Sequence, residues 1–112
     1  MKRALLLLSL ISSFAFGATS DQQITSLISG LRESACQFER GGVWYSGYKA
    51  AQHLEDKWNY AKDDINSPED FINNVASGSW MSGSDYHVKC PNQAEMTSRA
   101  WLLQQLQQLR TQ

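Results

Sequence analysis

Two thiols and two imidazoles give this chain its strongest potential for chemistry, because they are the ligand types that Zn²⁺ prefers. The four residues are Cys36, His53, His87 and Cys90. Structural zinc sites usually bring ligands in close pairs, yet only His87 and Cys90 are near each other in sequence. On a strand, an offset of three residues directs two side chains to opposite faces. The spacing therefore favours a disulfide between Cys36 and Cys90, and we expect no metal and no cofactor.

Two serine patterns are compatible with hydrolysis. Ser46 and Lys49 match the Ser-x-x-Lys motif of penicillin-recognising enzymes, but Ser46 also stands where a predicted hairpin meets a predicted helix, a position typical of a capping serine. His53 could act as a general base on a serine of the loop at residues 77–84. A small periplasmic hydrolase or cell-wall-modifying enzyme is therefore the alternative function, and it requires His53 and a loop hydroxyl to lie within hydrogen-bond reach.

Two of the four tryptophans fall outside the predicted core. Trp44 is expected on the sheet face opposite the disulfide, and Trp80 in the middle of a polar loop. Exposed tryptophan among mixed charges is typical of a protein-binding hot spot or a sugar-stacking platform. In the competing interpretation, the last helix or the loop folds over both rings. The predicted binding surface consists of Trp44, Glu39, His87, Lys89 and Trp80.

The N-terminal sequence predicts export. Lys2 and Arg3 form a positive start, residues 4–11 are almost unbroken apolar sequence, and residues 15–17 place small side chains where a signal peptidase reads them. We expect a signal peptide over residues 1–17. The apolar run is too short to cross a bilayer, which takes about 20 residues. We therefore predict a periplasmic or secreted protein that does not insert into a membrane after cleavage.

Charge limits the classes of partner. The 112 residues carry a net charge of −1, and the part beyond the predicted cleavage site carries −3, from eight basic and eleven acidic residues. Interspersed charges of this kind do not favour nucleic acid or an anionic membrane. A periplasmic protein or a cell-wall component is the expected partner, and the sequence leaves the oligomeric state open.

Apolar periodicity predicts up to four helices in a single domain at residues 18–112. The first extends from Ser20 to near Ser34 with its apolar stripe at residues 24, 27, 28 and 31, and a longer second helix covers residues 48–65 with Tyr48 on its stripe. Ser67 followed by Pro68 predicts the start of a third helix. Thr97 or Ser98 is expected to cap the last one, whose apolar stripe is formed by Leu102, Leu106 and Leu109.

The glycine pair at residues 41–42 predicts a type I′ turn between two strands. In that register Phe38 faces Tyr45 on one side of the hairpin, and Trp44 lies with Glu39 on the other. Residues 86–90 alternate in polarity and predict a third strand.

A disulfide would place the apolar faces of the first and third strands on the same core. The expected fold is α+β, with three to four helices packed on a small antiparallel sheet made of the hairpin and one later strand. Closing the loop between the cysteines should stabilise this fold by about 4 kcal/mol.

Several motifs spread over nearly the whole predicted mature chain are shared with a known family. They are Cys36-x-Phe38-x-Arg40-x-Gly42 with Tyr45, Ala50-Ala51-x-His53-Leu54 with Lys57, Phe71-Ile72 with Ala76-Ser77, Ser82-Gly83-x-x-Tyr86-x-Val88-x-Cys90, and Trp101-Leu102 with Leu106 and Arg110. On these residues the chain resembles the YfeK-like family of small exported proteobacterial proteins, a domain of unknown function. Family members commonly have Asn where this chain has Gly41, a difference that should preserve the turn.

The resemblance implies a periplasmic-type protein with a cysteine pair and no established reaction, so it transfers no catalytic residue. It does indicate five polar positions that packing alone does not obviously require. These weak site candidates are Arg40, His53, Lys57, Ser77 and Ser82. Because no catalytic motif is stronger than its structural explanation, the leading hypothesis is a non-enzymatic periplasmic binding or protein-interaction module.

Overall fold

A computed structural model describes residues 18–112, and the predicted signal peptide lies outside the described residues. Within this range, two pairs of strands are separated by helices and flanked by a helix at each end. They are α1 (Ser20–Glu33), β1 (Gln37–Arg40), β2 (Val43–Ser46), α2 (Gly47–Ala61), α3 (Pro68–Phe71), β3 (His87–Lys89), β4 (Met96–Thr97) and α4 (Ser98–Arg110). A 3₁₀ turn, Lys62–Asp64, follows α2, and a π-helical segment, Ile72–Ala76, continues α3. The predicted α+β class is confirmed.

Each predicted helix start is confirmed, and a hydroxyl side chain caps each one. Thr19 forms a capping box at α1, Ser67 caps α3, and Thr97 caps α4. Ser46 accepts a hydrogen bond from the backbone N–H of Lys49 at 3.3 Å, so it is the cap of α2. This contact gives the Ser-x-x-Lys match a structural explanation.

The hairpin has the predicted turn and register. Gly41 and Gly42 have φ values of +60° and +83°, as a type I′ turn requires. Phe38 pairs with Tyr45, and Glu39 pairs with Trp44. The side of the sheet that carries Trp44 and Glu39 is called the outer face below.

The sheet contains one strand more than predicted. All neighbours are antiparallel, in the order β2-β1-β3-β4, and β4 pairs with β3 through Met96 opposite Val88. A strand of two residues immediately before a helix cap is too short to show alternation, so periodicity could not reveal β4.

The predicted disulfide between Cys36 and Cys90 is present. Each cysteine flanks one of two adjacent central strands, β1 and β3, whose register places Gln37 opposite Lys89. The bond therefore fastens the early hairpin to the late strand across 54 residues of sequence.

The helices cover the inner face of the sheet and enclose one core. The predicted stripe of α1 is buried, together with Phe38 and Val88 from the sheet. Trp101, which lies outside the predicted stripe of α4, is also buried and packs edge-to-face on Phe38 with ring centroids 5.3 Å apart. No helix in residues 18–112 is long and apolar enough to cross a membrane.

The first turn of α2 departs from the prediction. Tyr48 was expected on the apolar stripe but is 61% exposed. The neighbouring Gly47 is buried against the C-terminal end of α1, where a Cβ atom would overlap the carbonyl oxygen of Leu31. The backbones of α1 and α2 therefore meet directly at Gly47, and Tyr48 points away from the core instead of packing on α1.

Candidate functional site

The structure brings three of the five weak site candidates together beside Tyr86. Arg40 lies at the end of β1, His53 and Lys57 lie one turn apart on α2, and Tyr86 directly precedes β3. The positions i and i+4 on α2 share a helix face, so the sequence spacing alone aligns the two basic side chains. These four residues are called the cationic cluster below.

Hydrogen bonds connect the cationic cluster into one chain. Arg40 Nη1 lies 2.8 Å from His53 Nδ1 and 3.1 Å from His53 Nε2. His53 Nε2 lies 3.2 Å from the Tyr86 hydroxyl, which also accepts from Lys57 Nζ at 3.2 Å. Lys57 Nζ donates in addition to the carbonyl oxygen of Gly78 at 2.9 Å. The cluster thus links the hairpin, α2 and the segment that leads into β3.

The donor roles of Arg40 and Lys57 follow from their side-chain types. Both can only donate, so a nitrogen of the neutral His53 ring accepts from Arg40, and the Tyr86 oxygen accepts from Lys57. The tautomer of His53 decides whether Nε2 donates to the Tyr86 oxygen or accepts the phenolic proton.

Burial and mutual repulsion determine the protonation of the cationic cluster. Burial first, and the charges of Arg40 and Lys57 second, lower the pKa of His53 to about 4, although Asp56 acts in the opposite direction. Burial and Arg40 lower the pKa of Lys57 to about 8, and burial raises the pKa of Tyr86. At neutral pH the cluster therefore contains two cations, a neutral imidazole and a neutral phenol.

No carboxylate within residues 18–112 forms an ion pair with either cation of the cluster. The ion pairs in this range are Arg32–Glu55, His87–Glu39 and Arg110–Glu69. Lys57 is only 8% exposed. Buried ammonium groups are costly unless paired, so the arrangement favours the approach of an anion.

A small pocket opens beside the cationic cluster, between the hairpin, α2 and α4. Its volume is about 30 Å³, and the polar and aromatic part of its lining comes from Glu39, Arg40, Tyr45, Lys49, His53 and Tyr86. Arg40 also stacks on the Tyr45 ring at 4.9 Å. The apolar part of the lining comes from Leu31, Phe38, Ala50, Leu54, Ala76 and Leu102.

Ser98 is a pocket residue that the sequence did not identify as a site residue. It is 4% exposed, and its backbone N–H donates to the carbonyl oxygen of Tyr86 at 2.9 Å. The cap of α4 is the neighbouring Thr97, which leaves the Ser98 hydroxyl without a hydrogen-bond partner among the described residues. Within the same residues no fully enclosed side-chain polar atom lacks a partner, so this hydroxyl opens onto the pocket.

The predicted binding surface divides into two parts. Glu39 lies between Trp44 on β2 and His87 on β3, and its carboxylate contacts His87 Nδ1 at 2.9 Å. This hydrogen bond, with a second from the Gly42 N–H, lowers the pKa of Glu39. Trp44 is 40% exposed beside this pair. Lys89, two residues beyond His87 on β3, donates to the carbonyl oxygen of Gln93 at 2.6 Å.

Trp80 packs against α2 rather than on the outer face. Its ring lies 4.4 Å from Lys57 Nζ and 5.9 Å from the Tyr60 ring, and its indole N–H donates to the carbonyl oxygen of Asn74 at 2.7 Å. It remains 49% exposed while covering the Lys57 ammonium. The structure therefore assigns Trp80 to the surroundings of the cationic cluster.

The two serine candidates have local partners. Ser77 Oγ donates to the carbonyl oxygen of Ile72, and Ser82 Oγ bonds Ser84 Oγ at 2.8 Å. The hydrogen-bond partners of His53 are Arg40 and Tyr86, and none is a hydroxyl of the loop. No group of three His, Cys, Asp or Glu residues in the described range could hold a metal ion.

Comparison with known proteins gives a family but no activity. The model of a family of unknown function, DUF5329, matches residues 18–110. No curated protein and no solved structure matches the chain. The more specific resemblance to YfeK-like exported proteins stays a prediction. The match covers most of the sequence, so the chain belongs to the DUF5329 family.

Proposed function

We propose that this protein is a non-enzymatic periplasmic binding module that captures an anionic group of its partner at the pocket beside the cationic cluster. The observation that carries the proposal is the absence of any carboxylate paired with Arg40 or Lys57 in the described residues. Arg40 lines the pocket together with Lys49 and the neutral side chains of His53 and Tyr86. Glu39 also lines the pocket, but its carboxylate already contacts His87 and the Gly42 N–H. An anion would complete this arrangement.

The balance of hydrogen-bond donors and acceptors in the cationic cluster also favours binding of an anion. Arginine and lysine supply only donors, and the acceptors that they meet are one imidazole nitrogen, one phenolic oxygen and one carbonyl oxygen. The remaining guanidinium N–H groups of Arg40 have no acceptor in the cluster. Charge-assisted hydrogen bonds from guanidinium to an anion are among the stronger ones in proteins.

The compartment is part of the proposal. A disulfide is typical of an oxidising environment, and the N-terminal sequence predicts export to the same environment. A periplasmic protein or a cell-wall component with an exposed acidic group would be a suitable partner. The contacts of His53 and of the loop serines give no support to a hydrolase.

Anion binding can be tested with simple salts. The disulfide-bonded mature protein is titrated at pH 7 with sodium acetate and, separately, with sodium phosphate, each replacing sodium chloride at constant ionic strength. We expect the melting temperature to rise saturably, because a ligand at ten times its Kd stabilises the native state by about 1.4 kcal/mol.

Arg40→Gln should abolish this response, whereas Arg32→Gln should retain it, because Arg32 pairs with Glu55 outside the pocket. Circular dichroism would verify that both variants fold. An equal response in wild type and Arg40→Gln, or no saturable response to either salt, would contradict the proposal. A response lost only in Trp44→Ala would instead locate binding on the outer face.

A further inference from the structure

The enclosed part of the pocket is small, although its mouth is open. A volume of about 30 Å³ has space for about two water molecules, so only a group of a few non-hydrogen atoms can be enclosed there. A carboxylate with one methyl or methylene group is of this size. A phosphate monoester is larger, and its oxygens are arranged tetrahedrally rather than in a plane.

The pocket lining is divided by polarity. Alanine and leucine side chains with Phe38 form most of its surface, and the donor residues in its lining include Arg40, Lys49 and Tyr86. A ligand that matches both parts has a planar anion joined directly to a small apolar group. Arginine is suited to such an anion because its planar guanidinium can make two parallel hydrogen bonds to a carboxylate.

Ser98 supplies a second, independent indication of a ligand. Its hydroxyl is at a residue that is 96% buried, it has no partner among the described residues, and it opens onto the pocket. Because no fully enclosed polar atom among the described residues lacks a partner, water reaches this hydroxyl in the free protein, and a ligand that displaces the water must supply a polar atom in its place. The amide group next to a chain-terminal carboxylate is one such atom.

We infer that the pocket recognises a carboxylate carried next to a methyl-sized apolar group, as in a peptide that ends in alanine or in a small aliphatic acid. This inference rests on the proposed function, since it names the anion for the same pocket. The two sources share the carboxylate and the small group, and they differ in whether an amide is available to Ser98.

The experiment compares probes that differ in one feature at a time by isothermal titration calorimetry at pH 7. N-acetylalanine represents a chain terminus, and propionate represents a free acid. N-acetylalaninamide lacks the carboxylate, N-acetyltryptophan replaces the methyl group by a large one, and inorganic phosphate replaces the carboxylate. We expect N-acetylalanine to bind at least about tenfold more tightly than the amide, the tryptophan derivative and phosphate.

Ser98→Ala separates the two sources. It should weaken N-acetylalanine by about fivefold, the usual effect of losing one hydrogen bond, and leave propionate unchanged. If propionate binds as tightly as N-acetylalanine and Ser98→Ala affects neither, the ligand is a free acid. Ser20→Ala is the matched control, because Ser20 is also the first residue of a helix but is exposed.

The outcomes also distinguish the two proposals. Arg40-dependent binding of phosphate, or of N-acetyltryptophan, with no preference for N-acetylalanine would overturn the carboxylate inference and leave the anion site in place. No Arg40-dependent binding of any probe would overturn both.

Discussion

At the scale of single residues, the cationic cluster lowers the stability of the fold. Lys57 is buried, and its pKa is lowered to about 8 because burial and Arg40 both disfavour its charge. Among residues 18–112, its ammonium contacts the Tyr86 hydroxyl, the Gly78 carbonyl oxygen and two aromatic rings, and it has no carboxylate partner. Strongly perturbed groups of this kind concentrate at functional sites, where stability is given up for binding.

Lys57→Met should therefore maintain or raise the free energy of unfolding at pH 7, by up to about 1 kcal/mol, because methionine fills the same space without a charge. Urea denaturation would measure this difference in the free energy of unfolding, with Lys62→Met on the exposed 3₁₀ turn as the control.

The pKa of Lys57 in the folded protein lies below its ordinary value of 10.5, so the unfolded chain binds more protons than the folded protein between pH 8 and 10.5. The stability of the wild type should rise with pH over that window relative to Lys57→Met. A loss of more than about 2 kcal/mol at pH 7 would show that the ammonium contributes structural stability.

The lowered pKa of His53 predicts that the free energy of unfolding depends on pH in the acid range. Its pKa of about 4 in the folded protein lies below the ordinary 6.5, so unfolding takes up a proton between these values. Stability should decrease as the pH falls from 6.5 to 4, by on the order of 2 kcal/mol. His53→Gln can accept from Arg40 and donate to Tyr86 without titrating, and its denaturation midpoint should fall less over this range. The low pKa values of Glu39 and Glu69 affect both proteins equally, so parallel curves would refute the role of His53.

The cationic cluster shows which site residues the sequence predicts and which depend on the fold. Arg40, His53 and Lys57 were indicated by shared motifs, but only the fold shows that Tyr86 connects them. Ser98 was visible only as an alternative cap for the last helix, because nothing in its neighbours reveals which of two adjacent hydroxyls faces solvent and which faces a pocket. Trp80 was expected in the middle of a polar loop and was assigned to the same binding surface as Trp44, but its contact with Lys57 depends on the path of that loop, which has no periodicity.

At the scale of secondary-structure elements, two glycines that look equivalent in sequence have opposite roles. Gly30 lies in the exposed part of α1 with open space where a Cβ would be, and Gly47 opens α2 against the carbonyl of Leu31. Gly30→Ala should stabilise the protein by about 0.5–1 kcal/mol through helix propensity. Gly47→Ala should destabilise it by about 2 kcal/mol, since the helices must separate. Equal effects in urea denaturation would mean that α1 and α2 do not approach as closely as described.

Local patterns predicted most elements because each has a cap, a turn or a stripe of its own. The hairpin register followed from the glycine pair, and the helix starts followed from hydroxyl residues at residues 19, 46, 67 and 97. The missing parts, β4 and the π-helical segment Ile72–Ala76, are short and depend on tertiary neighbours for their hydrogen bonds. Burial of Trp101 against Phe38 is likewise a long-range contact.

At the scale of the whole molecule, the disulfide connects both the fold and the site. Arg40 is on β1 and Tyr86 precedes β3, and Cys36 and Cys90 flank these same two strands. Adjacent strands hold Arg40 and Tyr86 within reach of His53 on α2. Reduction of the disulfide should therefore alter the relative positions of Arg40 and Tyr86 at the pocket.

Reduction should lower the free energy of unfolding by about 4 kcal/mol, because the open chain regains the entropy that closure of a 54-residue loop removes. For a domain of this size, that is a large share of the 5–15 kcal/mol typical of folded proteins. Guanidinium denaturation with and without a phosphine reductant measures the loss of stability, and a Cys36→Ala/Cys90→Ala variant, which is insensitive to the reductant, is the control.

Acetate titration under conditions where the reduced protein stays folded should show weaker binding, since β1 and β3 are no longer fastened together. An unchanged midpoint on reduction would mean that the sheet and core hold the two strands without the bond, and the position of Arg40 relative to Tyr86 would then depend on strand pairing alone.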